Sequence, residues 1–215
     1  LFFYRRIIRF AKMSSSMDNY SPPTVFDFDK TLTYKDTLKD FFSLVGKMRF
    51  SATRLRLKQA IYFGAMVATK FRLLSNSDLK RWGVRLFVKG ANRRQIANWG
   101  KFYAELITLN RVFEVDFRQH HGNAMIVTAS FVDYVKPLFP NNVVVGAEFL
   151  YDRQDCVVGL KNNCYKEQKV ECLNELGVQT ISALFTDSFS DKPLMDIAQK
   201  VYLVKGDSTT QIKYN

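Results

Sequence analysis

Asp27 and Asp29 stand two positions apart at the end of an apolar run, in the stretch VFDFDKTLT at residues 25–33. Like charges this close raise each other's pKa, and burial raises it further. Such a pair holds a cation, or one carboxylate reacts while the other carries a proton, or both are plain turn residues. On an extended strand the two side chains face the same way, because side chains alternate with period two.

Further chemical groups follow later apolar runs. AMIVT (124–128) ends in Thr128 and is followed by Ala129 and Ser130; ALFT (183–186) is followed by Asp187, Ser188 and Asp191. Lys166 and Lys169 fall in the first turn of an expected helix. Ligands of parallel α/β sheets bind beyond the carboxyl ends of the strands, so these residues are expected at one rim. Three or four carboxylates, two hydroxyls and a lysine together call for a hard cation. Mg²⁺ takes oxygen ligands while keeping water and phosphate oxygens in its shell. The chemistry is then phosphoryl transfer. One carboxylate can attack phosphorus, and a second one two residues on can protonate the leaving oxygen and later deprotonate the water that hydrolyses the acyl phosphate. A hydroxyl, a backbone N–H at a helix start and a lysine can hold the remaining oxygens.

The elements that must position these groups are legible in outline. Val25–Asp29 reads as a buried strand preceded by Pro22 and Pro23. From Asp36 to Gln119 the periodicity is helical and no proline interrupts it. Four or five helices are expected, broken near 46–51, 75–77 and 90–92, with Ser77 before Asp78 and Asn92 with Gln95 as start signals. Trp82 and Trp99 are expected to pack inward, and His120 and His121 to form a solvated helix end. From Ala124 onward strands and helices alternate: 124–128, a helix over 131–138 capped by Ser130, 143–145, a hairpin in 147–161, a helix over 166–176 stopped by Gly177, 183–186, a helix over 193–199, and 201–204. That alternation implies a Rossmann-like parallel sheet. The expected division is an α/β core of residues 21–34 and 116–215, with an inserted all-helical cap of residues 35–115. Residues 1–20 are set apart as a non-native or anchoring segment.

Charge narrows the partners. The net charge is +12, and residues 35–115 alone hold seventeen Lys/Arg against five Asp/Glu. Such a block attracts an anionic partner: a phosphate ester, an anionic lipid surface or nucleic acid. No apolar run is long enough to span a bilayer. Cys156, Cys164 and Cys172 have no zinc spacing and an odd count, so they are read as free thiols of a reducing, cytoplasmic compartment.

Taken in order, FDFDKTLT, IVTAS, KEQK with its helix and TDSFSDKPLM resemble the four motifs of the haloacid dehalogenase superfamily of Mg²⁺-dependent phosphohydrolases. The helical block after the first motif is similar to the cap of members related to phosphoserine phosphatase. The resemblance implies Asp27 as nucleophile and Asp29 as general acid/base. It implies a Mg²⁺ site of Asp27, the Asp29 carbonyl and Asp187, with Asp191 assisting, and phosphate held by Thr128, Ala129 and a lysine. NCYKEQK favours Lys169 over Lys166, which stands where the subgroup usually has glycine. Lys30 replaces a usual small residue, and is either a solvated charge or a source of positive potential over the phosphate.

Two departures bear on substrate. Phe131 follows Ser130 where phosphoserine enzymes carry a Gly-rich stretch, and Asp36 stands where they carry the Glu that meets the substrate amine. A basic, aromatic-rich cap also resembles that of bacterial phosphatidylglycerophosphate phosphatases. The expected substrate is therefore a phosphorylated small molecule or lipid headgroup, with peripheral contact to an anionic membrane and without nucleic acid. A binding module with a vestigial site and a phosphotransferase to an alcohol are the alternatives. The cap is expected to open and close over the site.

Overall fold

The computed structural model describes residues 21–212; the segment set apart at residues 1–20 lies outside them. The sheet has seven strands: β1 (Thr24–Phe26), β2 (Ala124–Phe131), β3 (Val143–Tyr151), β4 (Val157–Asn162), β5 (Ala183–Thr186), β6 (Val201–Lys205) and β7 (Ser208–Ile212), ordered β4-β3-β2-β1-β5-β6-β7. β1 is central and parallel to both β2 and β5. β2–β3 and β5–β6 are also parallel, while β4 and β7 add antiparallel edges. The short β1 is buried throughout, as expected of a parallel strand covered on both faces. The chain order switches direction at β1, which places the ligand crevice at its carboxyl end.

Between β1 and β2 lie α1 (Leu38–Arg49), α2 (Ala52–Lys70), α3 (Asn76–Gly83, continuing as a π-helical turn through Val88) and α4 (Arg93–Glu105). Asn92 and Gln95 form the expected capping box. The cap of α3 is Ser75 with Asp78, not Ser77, whose hydroxyl instead accepts from Asn163 Nδ2 at 2.7 Å.

The insertion shares one aromatic core with the sheet. Phe41 meets Phe131 and Tyr134 with ring centroids 6.2 and 4.8 Å apart, and Phe42 meets Phe131 and Phe87. Trp82 and Trp99 are half-buried against this cluster. α4 lies directly on the chain after β2: a Cβ on Gly100 would fall 2.3 Å from the Asp133 carbonyl oxygen. The β3–β4 hairpin also grips the insertion. Gly90 N donates to Val157 O and Val157 N to Ala91 O, each at 2.8 Å.

Three local expectations change. β2 continues past Thr128 to Phe131, with a register shift between Val127 and Phe131. Ser130 therefore lies in the strand, and the following helix, α5 (Val132–Val135), has Phe131 at its N-cap and no side-chain cap. The bulge is accommodated by Gly146 on β3, where a Cβ would sit 2.6 Å from the Ser130 carbonyl. β7 was not foreseen, and it pairs with β6 through a turn in which Gly206 has φ 61°. The remaining helices are α6 (Glu167–Glu175), ended by Gly177 at φ 78°, and α7 (Lys192–Asp196). All three cysteines are free, and no helix among the described residues is long and apolar enough to cross a membrane.

Candidate active site

The backbone of Asp27 adds one rung to the ladder, donating to Phe185 O at 2.9 Å, and this fixes its carboxylate at the sheet edge. The chain then turns tightly: Leu32 N donates to Phe28 O, and Lys30 is left-handed at φ 58° with an exposed side chain. Left-handed backbone explains why a small residue is the easier choice there.

Lys169 comes from the first turn of α6, on the face that also buries Leu173. Its ammonium is buried and donates to Asp27 Oδ1 at 2.8 Å and to Asp191 at 2.8–2.9 Å. Thr186 Oγ1, at the end of β5, donates to Asp191 Oδ2 at 2.9 Å. Lys166 is elsewhere: it is the N-cap of α6 at φ 54°, ψ −119°, with its side chain exposed and its ammonium over the Tyr165 ring. The structure thus brings Asp27, Lys169 and Asp191 together, and leaves Lys166 out.

Asp29 belongs to a different network. Its Oδ1 accepts from Thr37 N (2.8 Å) and Thr37 Oγ1 (2.7 Å), and its Oδ2 accepts from Ser130 Oγ. Tyr134 Oη donates to Ser130 Oγ at 2.7 Å, and Tyr103 Oη donates to Thr37 O at 2.7 Å. The bulge in β2 is what turns Ser130 toward Asp29. Thr128 is buried, and its Oγ1 accepts from Ser130 N at 3.0 Å.

The electrostatics separate the two carboxylates. Burial pushes Asp27 up to about 7, against the lowering pull of Lys169 and with a raising contribution from Asp191. Burial also lifts Asp29 to about 6, helped by Asp36 and opposed by its bonds from Ser130 and Thr37. Burial alone would lower Lys169, but Asp27 and Asp191 outweigh it and hold it charged, above the ordinary lysine range. Asp187 is half-buried; burial raises it, and nearby Lys30 opposes this.

The donor set is compatible with a hard divalent ion. Lys169 is shared between Asp27 and Asp191, and Asp27 remains hard to ionise despite it, so further positive charge would be favourable there. The arrangement is not the convergence of three or four carboxylates that the sequence suggests. Among the described residues no group of three His, Cys, Asp or Glu side chains is arranged to hold a metal, and Asp29 points its carboxylate at Thr37 and Ser130. An ion here would draw on carboxylate oxygen together with backbone oxygen and water, which is the manner of Mg²⁺.

One site residue has no counterpart among the sequence-level candidates. Lys80, on α3, is 5% exposed. Its ammonium donates to Ala129 O at 2.5 Å and Asn163 O at 3.2 Å, and burial lowers its pKa to about 8. A buried lysine from the insertion therefore meets the backbone of β2 just after Thr128. A cleft of about 550 Å³ nearby shares Thr37 and Tyr103 with the Asp29 network, but Asp27, Lys169 and Asp191 do not line it.

Residues 24–196 match the family of haloacid dehalogenase-like hydrolases. The chain belongs to this family. Protein CicA of Caulobacter vibrioides is 29% identical over 201 residues, which cover 87% of this chain and 88% of CicA. In fold the hydrolase is similar to a Bordetella pertussis protein of unknown function (TM-score 0.70, 16% identity, 85% and 89% of the two chains covered). It is also similar to a phosphoserine phosphohydrolase-like protein of Francisella tularensis (TM-score 0.58, 15% identity, 84% and 86% covered). A substrate-bound phosphoserine phosphatase shares the fold at TM-score 0.54 and 14% identity, with 86% of each chain covered. The α/β fold expected from the sequence is thus the fold of this family.

Proposed function

We propose that this hydrolase cleaves phosphomonoesters, with Asp27 as nucleophile and Asp29 as general acid/base. The observation that carries the reading is the division of labour at the rim: Asp27 is paired to a buried lysine, while Asp29 is held apart by hydroxyls and kept easy to protonate. An Asp27 oxygen forms a bond to phosphorus and the ester P–O bond breaks. Asp29 delivers its proton to the leaving oxygen. Water then attacks the acyl phosphate, Asp29 takes its proton, and Asp27 is released with inorganic phosphate. Mg²⁺, held by Asp27, the Asp29 carbonyl and Asp187, would supply Lewis-acid neutralisation of the phosphoryl oxygens. Thr128, the Ala129 N–H and Lys169 would bind those oxygens, with Asp191 and Thr186 fixing Lys169.

Lys80 supports an anionic leaving group. It already occupies the Ala129 carbonyl, an acceptor a substrate ammonium would otherwise use, and it sets a positive charge above the strand end. The helical insertion, in this reading, acts as the cap that excludes water.

The test is phosphate release from a panel of monoesters with Mg²⁺, for the wild type and for Asp27→Asn. Hydrolysis that disappears in the variant is expected, and no hydrolysis of any monoester refutes the reading. Lys80→Met should raise KM for esters carrying a second anionic group more than for p-nitrophenyl phosphate. Equal effects on both would remove Lys80 from substrate selection.

A further inference from the structure

α2 is apolar on both sides. Its inner side buries Tyr62 and Ala65, and Leu55 and Met66 also pack on the core. Its outer side leaves Leu57 (65% exposed), Ile61, Phe63 (62%) and Val67 in solvent, and the arc continues into Phe71 (71%) and Leu73 (77%). Six of the fourteen exposed large apolar side chains among the described residues fall in residues 57–73. Single exposed apolar residues are ordinary, but a cluster of this kind marks an interaction surface.

The rim of this surface decides what covers it. No acidic residue lies between Asp40 and Asp78, while Lys47, Arg49, Arg54, Arg56, Lys58, Lys70 and Arg72 all lie there. Arg49 and Lys58 are committed to carbonyls of residues 86–89, so the exposed Arg54, Arg56, Lys70 and Arg72 supply the rim. At helical spacing Arg54 and Arg56 fall on opposite borders of the Leu57–Ile61–Phe71 stripe. Apolar centre with cationic borders is the pattern of a helix lying in a membrane interface, where the rings enter the acyl boundary and the basic heads stay at the phosphates. A second copy of the chain would bring the same positive rim against itself, which is repulsive.

We propose that the outer face of α2, from Leu57 to Leu73, docks on an anionic bilayer surface. This placement does not depend on the chemistry at Asp27. The binding measurement reads no catalysis, so it can fail or succeed independently of the phosphatase assay.

The experiment is co-sedimentation of the full chain with vesicles of phosphatidylcholine alone and of phosphatidylcholine mixed with phosphatidylglycerol, at low and high salt. Binding to the mixed vesicles, weakened by salt, is expected. Phe63→Ser with Phe71→Ser should weaken partitioning by about tenfold or more. Arg54→Gln with Arg56→Gln should weaken it by about fivefold per charge removed. Both double variants should melt as the wild type does and hydrolyse a soluble ester equally well, since these side chains are exposed and none is among the residues placed at the site. Absence of binding to mixed vesicles at low salt overturns the proposal, as does binding untouched by the aromatic substitutions. A lipid-free dimer, detected by light scattering and dissolved by those same substitutions, overturns it too.

Discussion

Replacing Lys169 with Met removes the ammonium that donates to both Asp27 and Asp191. Lys169 is 3% exposed and its two partners are nearly as buried, so water cannot take its place. Breaking a buried pair by removing one partner costs about 3–5 kcal/mol, most of it the price of the charge left behind. Here that charge can be discharged. Asp27 already lies near 7 with Lys169 present, and losing the lysine moves it higher. Between that raised pKa and about 7, where wild-type Asp27 takes up its own proton, only the folded variant gains a proton, and each pH unit recovers up to about 1.4 kcal/mol of the deficit; below that the deficit levels off. The deficit of Lys169→Met should therefore be large at pH 8 and should shrink toward pH 6. At roughly 2–4 °C per kcal/mol for a chain of this size, the melting temperature should fall by about 6–20 °C at pH 8. The assay is thermal unfolding of both proteins at the two pH values in chelator, repeated with Mg²⁺. A deficit independent of pH, or a loss under about 2 °C, would show that the ammonium does not neutralise Asp27, and the electrostatic account of the site would fail.

Other perturbations test neighbouring parts. Lys166 holds a backbone conformation suited to glycine, so Lys166→Gly should stabilise by about 1 kcal/mol after the entropy of the freer unfolded chain is subtracted, and urea unfolding reads this directly. Gly100→Ala should destabilise by about 3 kcal/mol or more, because the added methyl meets the Asp133 carbonyl and backbone must move; calorimetry showing a neutral effect would contradict the close approach of α4. Asp29 has a folded pKa near 6, above that of an unfolded aspartate. The folded state thus binds the proton more tightly, and stability falls as pH rises from about 4 to 6, by up to about 3 kcal/mol. Asp29→Asn lacks that slope, so it should be no less stable than wild type at pH 7.5 while ester hydrolysis is lost.

Much of this architecture was readable in advance, for identifiable reasons. Asp27 and Thr128 end apolar runs and Asp191 closely follows one, and strand ends in α/β sheets are where ligands bind; Lys169 is singled out by the resemblance of NCYKEQK and by its helical spacing to Leu173. The Asn92–Gln95 box and Gly177 are local signals that local structure obeyed. Most of the differences are tertiary. Ser130 looked like a helix cap because a hydroxyl before apolar residues usually is one; only the bulge opposite Gly146 keeps the strand going and turns that hydroxyl to Asp29. Thr37, Tyr103 and Tyr134 reach Asp29 through the packing of α1, α4 and α5, which no spacing encodes. Lys80 was one of seventeen basic residues in the insertion, and nothing local separates the buried one from the solvated ones. β7 carried a signal that went unread: Gly206–Asp207 between two extended runs is a two-residue hairpin turn, hidden by the polar character of STTQI.

The seams between insertion and sheet are unequal, and this bears on how an ester gets in. Along α1 and α4 the boundary is interlocked aromatic rings and touching backbone, and parting it would expose the core to water. Along the first turns of α3 the polar contacts are Lys80 to two carbonyls, Asn163 to Ser77 and Asn76 to Tyr165. Solvent can replace those bonds one for one. A rigid swing of all four helices is thus the costly route; under the proposed function, loosening only the first turns of α3, up to Lys80, would cost less than parting its apolar remainder from Val84 to Val88. The entrance and the charge that greets the incoming molecule would then be the same piece of chain.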